Sequence, residues 1–394
     1  MPKPKLIFFV TEDWYFLLHR LPMARAAQQA GFDVGVITKL TGDPRRITAL
    51  GFKLHPIDLR RGSLSPWNNF NVLVQTYRVL RRERPTIVQN VSWKPIALGG
   101  VAAGFARVPM VVNTVTGTGY IGAWRGFKAR LLARMNNLVQ RMLIARPNYW
   151  FIVENDDDQR SFVSMRPSAA SRVVNMGGSG VDLDRFQPVP EPPPPVTVAY
   201  VGRMVGLKGV ATVVAAHQQL RNAGLDVALL LVGGADPENP TSIDEPVLKE
   251  WQKLSGIRWL GRQEDIRAVW AQAHIAVLAS LGGEGLPMSL IEAAAMGRPI
   301  VATDVPGNRM VARPGVSGIL VPPGDPGALA KAIADLAGDA ALRARLGAGA
   351  RKLVVENYSD RIVGAAVREF YARLLSRVQD RPSGPCTVGG TTRD

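Results

Sequence analysis

The sequence predicts an α/β protein made of two parallel-sheet domains that face each other across a cleft. Three observations lead there. Short apolar runs alternate with helical patterns through both halves of the chain, as β-α-β units do. At 187–195 the run QPVPEPPPP breaks the alternation, and proline-rich sequence of this kind is an extended, semi-rigid linker. The alternation then starts afresh, and 394 residues suffice for two or three domains. Open parallel sheets take ligands at the carboxyl ends of their strands, so two such sheets face to face predict a binding cleft.

The first domain spans 1–187. KLIFFV opens it as a buried strand, and its apolar run LIFFV is too short for the core of a signal peptide. The segment 21–30 reads as a helix closed by Gly31, followed by the strand FDVGVIT. A helix over 71–84 precedes the strand TIVQNV. A small-residue helix over 95–106 precedes MVVNTV, and a long helix over about 125–145 precedes YWFIVEN. DDDQRSFVSM is a short helix and RVVNM a last strand. The second domain, 196–359, repeats the scheme: strand VTVAYVG, helix 208–223, strand DVALLLVG, helix 243–255, strand IRWLG, helix 264–272 and strand HIAVLAS. A further helix, an apolar strand and a Pro-Gly turn follow within 287–307. GILV, helices at 326–336 and 339–354, and a last helix over Asp360 to Gln379 complete it. Residues 381–394 read as a flexible tail.

The net charge of +16 calls for an anionic partner: nucleic acid, an anionic membrane or a phosphorylated substrate. Nucleic acid would need basic and aromatic residues clustered on a sheet or a helix-turn-helix, and no such motif is present. The single cysteine, Cys386, and four scattered histidines offer neither a disulfide framework nor a metal cluster, and fit a cytoplasmic address. No apolar stretch reaches the ~18 residues of a membrane span. The segment Trp124 to Arg146 is an amphipathic helix with a basic flank, suited either to an anionic membrane surface or to ordinary burial of its apolar face.

The most informative stretch is EGLPMSLIEAAAMGRPIVATDVPG, Glu284 to Gly307. Pro287 is placed to open a helix, leaving the N–H groups of Met288, Ser289 and Leu290 free for an anion. Glu284 lies in the loop before that helix and Glu292 about one and a half turns into it. Carboxylates beside a phosphate site serve best as acceptors for sugar hydroxyls; the same pattern also fits a capped surface helix with two solvated acids. Upstream, Arg203 and Lys208 lie five apart in the Gly-rich strand-to-helix turn VGRMVGLKG. There backbone and two cations can approach a diphosphate, with a helix N-terminus starting near Lys208. Two plain surface cations are the other reading.

These motifs resemble the family 4 glycosyltransferases of the two-Rossmann-domain (GT-B) fold. They come in the family's order: GSGVD at Gly178 to Asp182, VGRMVGLKG, WLGRQEDI at Trp259 to Ile266, EGLPMSLIE, and GVSGILVPPGD at Gly315 to Asp325. The resemblance implies that a sugar is transferred from a nucleotide-sugar with retention of configuration and without an obligatory metal or other cofactor. It also implies that 360–380 crosses back onto the first domain. Arg203 and Lys208 then neutralise the leaving nucleoside diphosphate, and Glu292 holds the ribose hydroxyls. Glu284 contacts the donor sugar, with Gly285, Leu286 and Pro287 lining it. Arg262 and Gln263 read the nucleobase through their backbone, and Ser280 and Gly283 line the donor pocket.

The first domain departs from the common pattern. The loop VTEDWYFLLHRLP lacks the usual Gly pair, and Thr116 stands where many members carry a histidine. With WKP at Trp93 to Pro95 and ENDDDQRSF at Glu154 to Phe162, the chain looks like the subgroup that extends polyprenyl-diphosphate-linked saccharides, where UDP donors are the commoner choice. Thr116 to Gly119 then form either a loop over acceptor and donor sugar or an ordinary tight turn. Lys94 either meets an acceptor phosphate or caps a helix. This reading places the protein on the inner face of the cell membrane, with a nucleotide-sugar and a lipid-linked saccharide as partners. The alternatives are a nucleotide-sugar epimerase of the same fold and a non-catalytic basic protein that binds lipid or nucleic acid.

Overall fold

The apolar runs become the strands of two sheets in a computed structural model that describes residues 3–63, 65–117 and 127–380. The first half contains β1 (Lys5–Glu12), β2 (Asp33–Lys39), β3 (Lys53–Pro56), β4 (Ile87–Val91), β5 (Met110–Thr114), β6 (Tyr149–Val153) and β7 (Val173–Asn175). Its helices are α1 (Asp13–Tyr15), α2 (Leu21–Gln29), α3 (Arg45–Thr48), α4 (Pro66–Glu83), α5 (Trp93–Ala106), α6 (Phe127–Ile144) and α7 (Asp156–Met165). The second half contains β8 (Val196–Val201), β9 (Val227–Val232), β10 (Ile257–Trp259), β11 (Ile275–Leu278), β12 (Ile300–Thr303) and β13 (Gly318–Val321). Between and after them lie α8 (Val210–Asn222), α9 (Glu245–Gln252), α10 (Ile266–Ala271), α11 (Met288–Ala295), α12 (Pro306–Val311), α13 (Pro326–Gly338), α14 (Ala340–Asn357) and α15 (Asp360–Gln379).

Every pairing between these strands is parallel, in the orders β3-β2-β1-β4-β5-β6-β7 and β10-β9-β8-β11-β12-β13. Helices cover both faces of each sheet, which is why the strands read as near-continuous apolar runs. Strand order reverses between β1 and β4 in one sheet and between β8 and β11 in the other. Those two switch points open the crevices where α/β sheets bind ligands, and the segments after β1, β4, β8 and β11 carry most of the residues discussed below.

The last helix crosses back. Val363, Val367, Phe370, Tyr371 and Leu374 recur on one helical face and are buried in the core of the first sheet with Phe8 and Trp150. The Tyr371 hydroxyl donates to Gln89 on β4. The crossing is pinned where Val181 and Ser359 bridge: the Val181 N–H donates to the Tyr358 carbonyl at 2.9 Å and the Asp360 N–H to the Val181 carbonyl at 2.9 Å.

The structure corrects several local expectations. The segment VTEDWYFLLHRLP is not a loop: β1 runs on to Glu12, α1 follows, and Phe16–Arg20 form a π-helix that leads into α2. Asp13 anchors this start by accepting the N–H groups of Trp14, Thr41 and Gly42 at 2.9–3.0 Å. Strand β3 escaped notice because KLHP is short, polar at one end and closed by proline, which only an edge strand tolerates. The expected Pro-Gly turn at 306–307 is the start of α12. The proline-rich segment 187–195 is bound to the second half rather than free. Glu191 meets Arg343 at 2.9 Å, and Arg298 donates to the Pro190 carbonyl at 3.0 Å. The expected tail 381–394, with Cys386, lies outside the described residues, as do Thr118, Gly119 and the start of the basic segment at Trp124.

Candidate active site

Two carboxyl-terminal edges meet here. From the second sheet, β8 ends in the turn 202–209 and β11 ends in the loop 279–287. Gly209 has φ +68°, and a Cβ there would stand 1.8 Å from the Ala279 carbonyl oxygen, so only glycine lets these two segments touch. That contact brings the Lys208 ammonium to 2.7 Å from the Glu284 carboxylate. Ser280 donates its hydroxyl to the same carboxylate. Behind it, Thr303 Oγ1 donates to the Ser280 carbonyl at 2.6 Å, and Asn308 Nδ2 donates to Thr303 Oγ1 at 3.1 Å. Glu284 is buried at 8% exposure. Its carboxylate is therefore held by a chain of groups from β8, β11, β12 and α12.

Two details differ from expectation. Lys208 belongs to a separate 3₁₀ turn, Gly206–Lys208, and α8 starts only at Val210. Pro287 is the residue before α11 rather than its first residue, and its carbonyl takes the Leu290 N–H at 3.1 Å, so that N–H is not free for an anion.

Glu292 does not join the Lys208 cluster. It sits on α11, where burial pushes its carboxyl up to about 7, against the opposing pull of the Trp270 indole and the Arg185 charge. The folded chain thus keeps a proton that the unfolded chain gives up near pH 4.5. Stability contributed by this group falls as pH rises from about 4.5 to 7, by on the order of 2–3 kcal/mol. Glu292→Gln is expected to flatten that slope and raise stability at pH 8. Urea titrations across pH 5–8 test it, and a slope equal to wild type would refute it.

Arg203 is half exposed and paired with Asp236 at 2.6 Å. The other oxygen of Asp236 meets Arg61 of the first half, which also reaches Glu12 at 3.3 Å. Next to it Lys39 pairs with Glu238 at 2.9 Å, and the Arg61 N–H donates to Glu238 at 3.2 Å. Arg203 and Arg61, one from each half, therefore clamp a single carboxylate. Arg262 and Gln263 are exposed; the Arg262 guanidinium lies 5.7 Å from the centre of the Trp14 ring across the cleft, and Gln263 donates to the Leu260 carbonyl at 2.5 Å.

The first sheet supplies the opposite wall. Thr116 follows β5, and its hydroxyl is 3.2 Å from that of Ser92 at the end of β4. Gly117, at φ +88°, lies directly on the 283–285 backbone: a Cβ there would be 2.3 Å from the Gly283 carbonyl oxygen and 2.5 Å from the Gly285 nitrogen. Leu286 rests against Gly178. Lys94 neither caps a helix nor faces open cleft. It is buried and donates to the Arg60 and Ser63 carbonyls at 2.5 and 2.6 Å, and burial brings its ammonium down to about 8.

Sequence reasoning missed four residues on this wall. Glu154 and Asn155, after β6, touch the 284–286 loop, while Arg20 and His19 come from the π-helix. The His19 ring packs at a tilt of 49° against Tyr15, with the ring centres 4.7 Å apart. Burial, then the charges of Arg20, Lys208 and Arg203, push it down to about 3, so it faces these cations as a neutral imidazole. The adjacent His-Arg pair after the first strand was the one available signal.

Comparison with known proteins follows the same division. Residues 195–339 match the model described as glycosyl transferases group 1, and residues 5–145 match glycosyl transferase 4-like; together these span most of the chain. The N,N'-diacetylbacillosaminyl-diphospho-undecaprenol alpha-1,3-N-acetylgalactosaminyltransferase of Campylobacter jejuni is 23% identical over 91% of this chain and 96% of its own length. The capsular polysaccharide biosynthesis glycosyltransferase CapM of Staphylococcus aureus is 23% identical over 83% of this chain and 87% of its own. Among solved structures, Anabaena Alr3699/HepE in complex with UDP superposes with a TM-score of 0.70 at 17% identity, covering 95% of this chain and 100% of that one.

Proposed function

The chain belongs to the group 1 and 4-like glycosyltransferases, and from that premise we propose that it moves a sugar from a UDP-linked donor to a lipid-linked saccharide, with retention and without an obligatory metal. The observation that carries this reading is the Lys208–Glu284 pair, 2.7 Å apart at the carboxyl edge of one sheet and directly beneath Gly117 of the other. The matched Anabaena structure holds UDP, and the Campylobacter relative by its name acts on a diphospho-undecaprenol saccharide. Cell-surface polysaccharide synthesis is the setting that the Staphylococcus relative suggests.

In this proposal Lys208 and Arg203 take the charge of the leaving diphosphate, as cations already held in place do for charge that develops in a transition state. Glu284 accepts hydroxyls of the donor sugar and Glu292 those of the ribose. The bond from the anomeric carbon to the diphosphate breaks. The acceptor oxygen bonds to the same carbon on the same face, and its proton passes to the departing phosphate oxygen. Glu154 is a carboxylate from the acceptor half near the site, but both its oxygens are engaged, which leaves this front-face course preferred over a covalent sugar–enzyme intermediate.

The test is thermal stabilisation by a panel of nucleoside diphosphates and nucleotide sugars, which raises the melting temperature by mass action. NMR of the product's anomeric proton and turnover in EDTA then follow. Stabilisation by UDP, retained configuration and unchanged rate in EDTA support the proposal. A trapped sugar adduct, an inverted product, or epimerised donor with no transfer overturns it.

The acceptor's lipid calls for a membrane surface, and we propose the α4–α6 side of the first sheet for it. No helix among the described residues is long and apolar enough to cross a membrane. The apolar residues of α6 divide: Val139 and Leu143 face the core, whereas Met135, Leu138 and Met142 are exposed beside Arg134 and Arg141. Trp67 and Phe70 on α4 and Phe105 on α5 are exposed as well. Such a face combines apolar anchors with basic charge. Leu138→Glu with Met142→Glu is expected to weaken flotation with phosphatidylglycerol vesicles by about tenfold or more while UDP affinity stays as in wild type. Unchanged flotation would sink the assignment of this face.

A further inference from the structure

We propose that Glu154 is a positioning residue that holds the Glu284 loop in register only when the two halves are closed. What the loop does rests on the transferase reading; how it is held rests on geometry. Glu154 stands one residue past β6 and is buried. Its Oε1 takes Arg20 Nη2 at 2.8 Å, and its Oε2 accepts the Leu286 N–H at 3.2 Å. Beside it, Asn155 Nδ2 donates to the Glu284 carbonyl at 3.4 Å. There is no slack at this point, since a Cβ on Gly285 would lie 2.2 Å from Glu154 Oε2.

Arg20 is itself 2% exposed, and it also donates to Tyr15 Oη at 3.3 Å and Ser179 Oγ at 3.4 Å. The Arg20–Glu154 pair is therefore assembled wholly within the first half, yet its last hydrogen bond comes from a backbone amide of the second. A buried carboxylate left short of a donor is costly, and closure supplies that donor two residues from Glu284. Closing the cleft and fixing the loop are one event.

The chemistry of the side chain gives a discriminating test. A carboxylate accepts at both oxygens, whereas a carboxamide accepts at one end and donates at the other. Glu154→Gln cannot serve Arg20 and Leu286 together: with its oxygen toward Arg20, its NH₂ meets the Leu286 N–H donor to donor. Adding Arg20→Met removes the competing demand and lets the amide turn round.

Hydrogen exchange of 281–290 is read in the full chain, with and without UDP, together with UDP affinity and the donor KM and kcat. In Glu154→Gln the segment is expected to exchange about tenfold faster and kcat to fall about tenfold or more, with UDP affinity and donor KM within about threefold of wild type. Arg20→Met/Glu154→Gln is expected to recover most of both losses, which a merely destabilised fold would not do. Unchanged exchange in Glu154→Gln overturns the proposal, as does a double variant no better than the single one. Failure of the wild type to bind UDP would instead overturn the donor reading, while exchange in the nucleotide-free chain still decides what Glu154 does.

Discussion

Glu284→Ala is expected to lower kcat by about 10²–10³-fold while UDP affinity changes by less than about threefold. The carboxylate is fixed by Lys208, by Ser280 and by the Thr303–Asn308 chain behind it, so it is ready for hydroxyls without reorganising. In the proposed role, such a sugar-binding group acts where charge develops at the anomeric carbon and leaves the nucleotide's own contacts alone. Lys208→Ala is expected to behave differently. On the proposed reading it removes a cation from the diphosphate, and it strands Glu284, so UDP affinity and kcat both fall, with a loss of about 2 kcal/mol in stability. Calorimetric titration with UDP beside initial-rate kinetics separates the two variants. Small, equal effects from both would remove Glu284 and Lys208 from the chemistry.

Gly117→Ala is expected to cost about 10²-fold in kcat with UDP affinity intact. The residue sits at φ +88°, where a side chain costs roughly 1–2 kcal/mol. The larger consequence is steric. The new methyl would lie 2.3 Å from the Gly283 carbonyl oxygen, against backbone that cannot rotate away. The cleft must open to admit it, and the two halves separate. Small-angle scattering should show a larger radius of gyration than wild type in the presence of UDP. Wild-type turnover in this variant would mean that Gly117 and Gly283 do not need to approach during transfer.

Legibility from the sequence followed the range of the interaction. Glu284, Pro287 and Glu292 lie in one local string, and Arg203 and Lys208 in another, so spacing and turn chemistry exposed them. Apart from the edge strand β3, the strands of both sheets were readable because burial on both faces writes them as unbroken apolar runs. Glu154 was not readable. Its partners Arg20 and Leu286 lie 134 and 132 positions away, and nothing in ENDDDQRSF distinguishes it from the three aspartates that follow. Asp236 escaped for the same reason, since its value lies in being reached by Arg61 from 175 residues away. The π-helix at 16–20 was hidden because its extra residue per turn defeats a search for 3.6 periodicity. On α6 the pattern gave the amphipathic helix but not its division into inward and outward residues, which depends on how α5 lies against it.

The return of α15 has a consequence for how this protein is made. Synthesis runs from the amino terminus, and domains ordinarily fold in that order as they emerge. Here the first sheet is complete in its strands by Asn175, yet the face that α2 covers only in part stays unfinished until Val363 to Leu374 arrive. The half that leaves the ribosome first is therefore the half finished last. While the second half is being translated, Phe8, Met23, Phe32 and Trp150 lack part of their cover. A nascent chain stalled before residue 360 should recruit chaperones through that face.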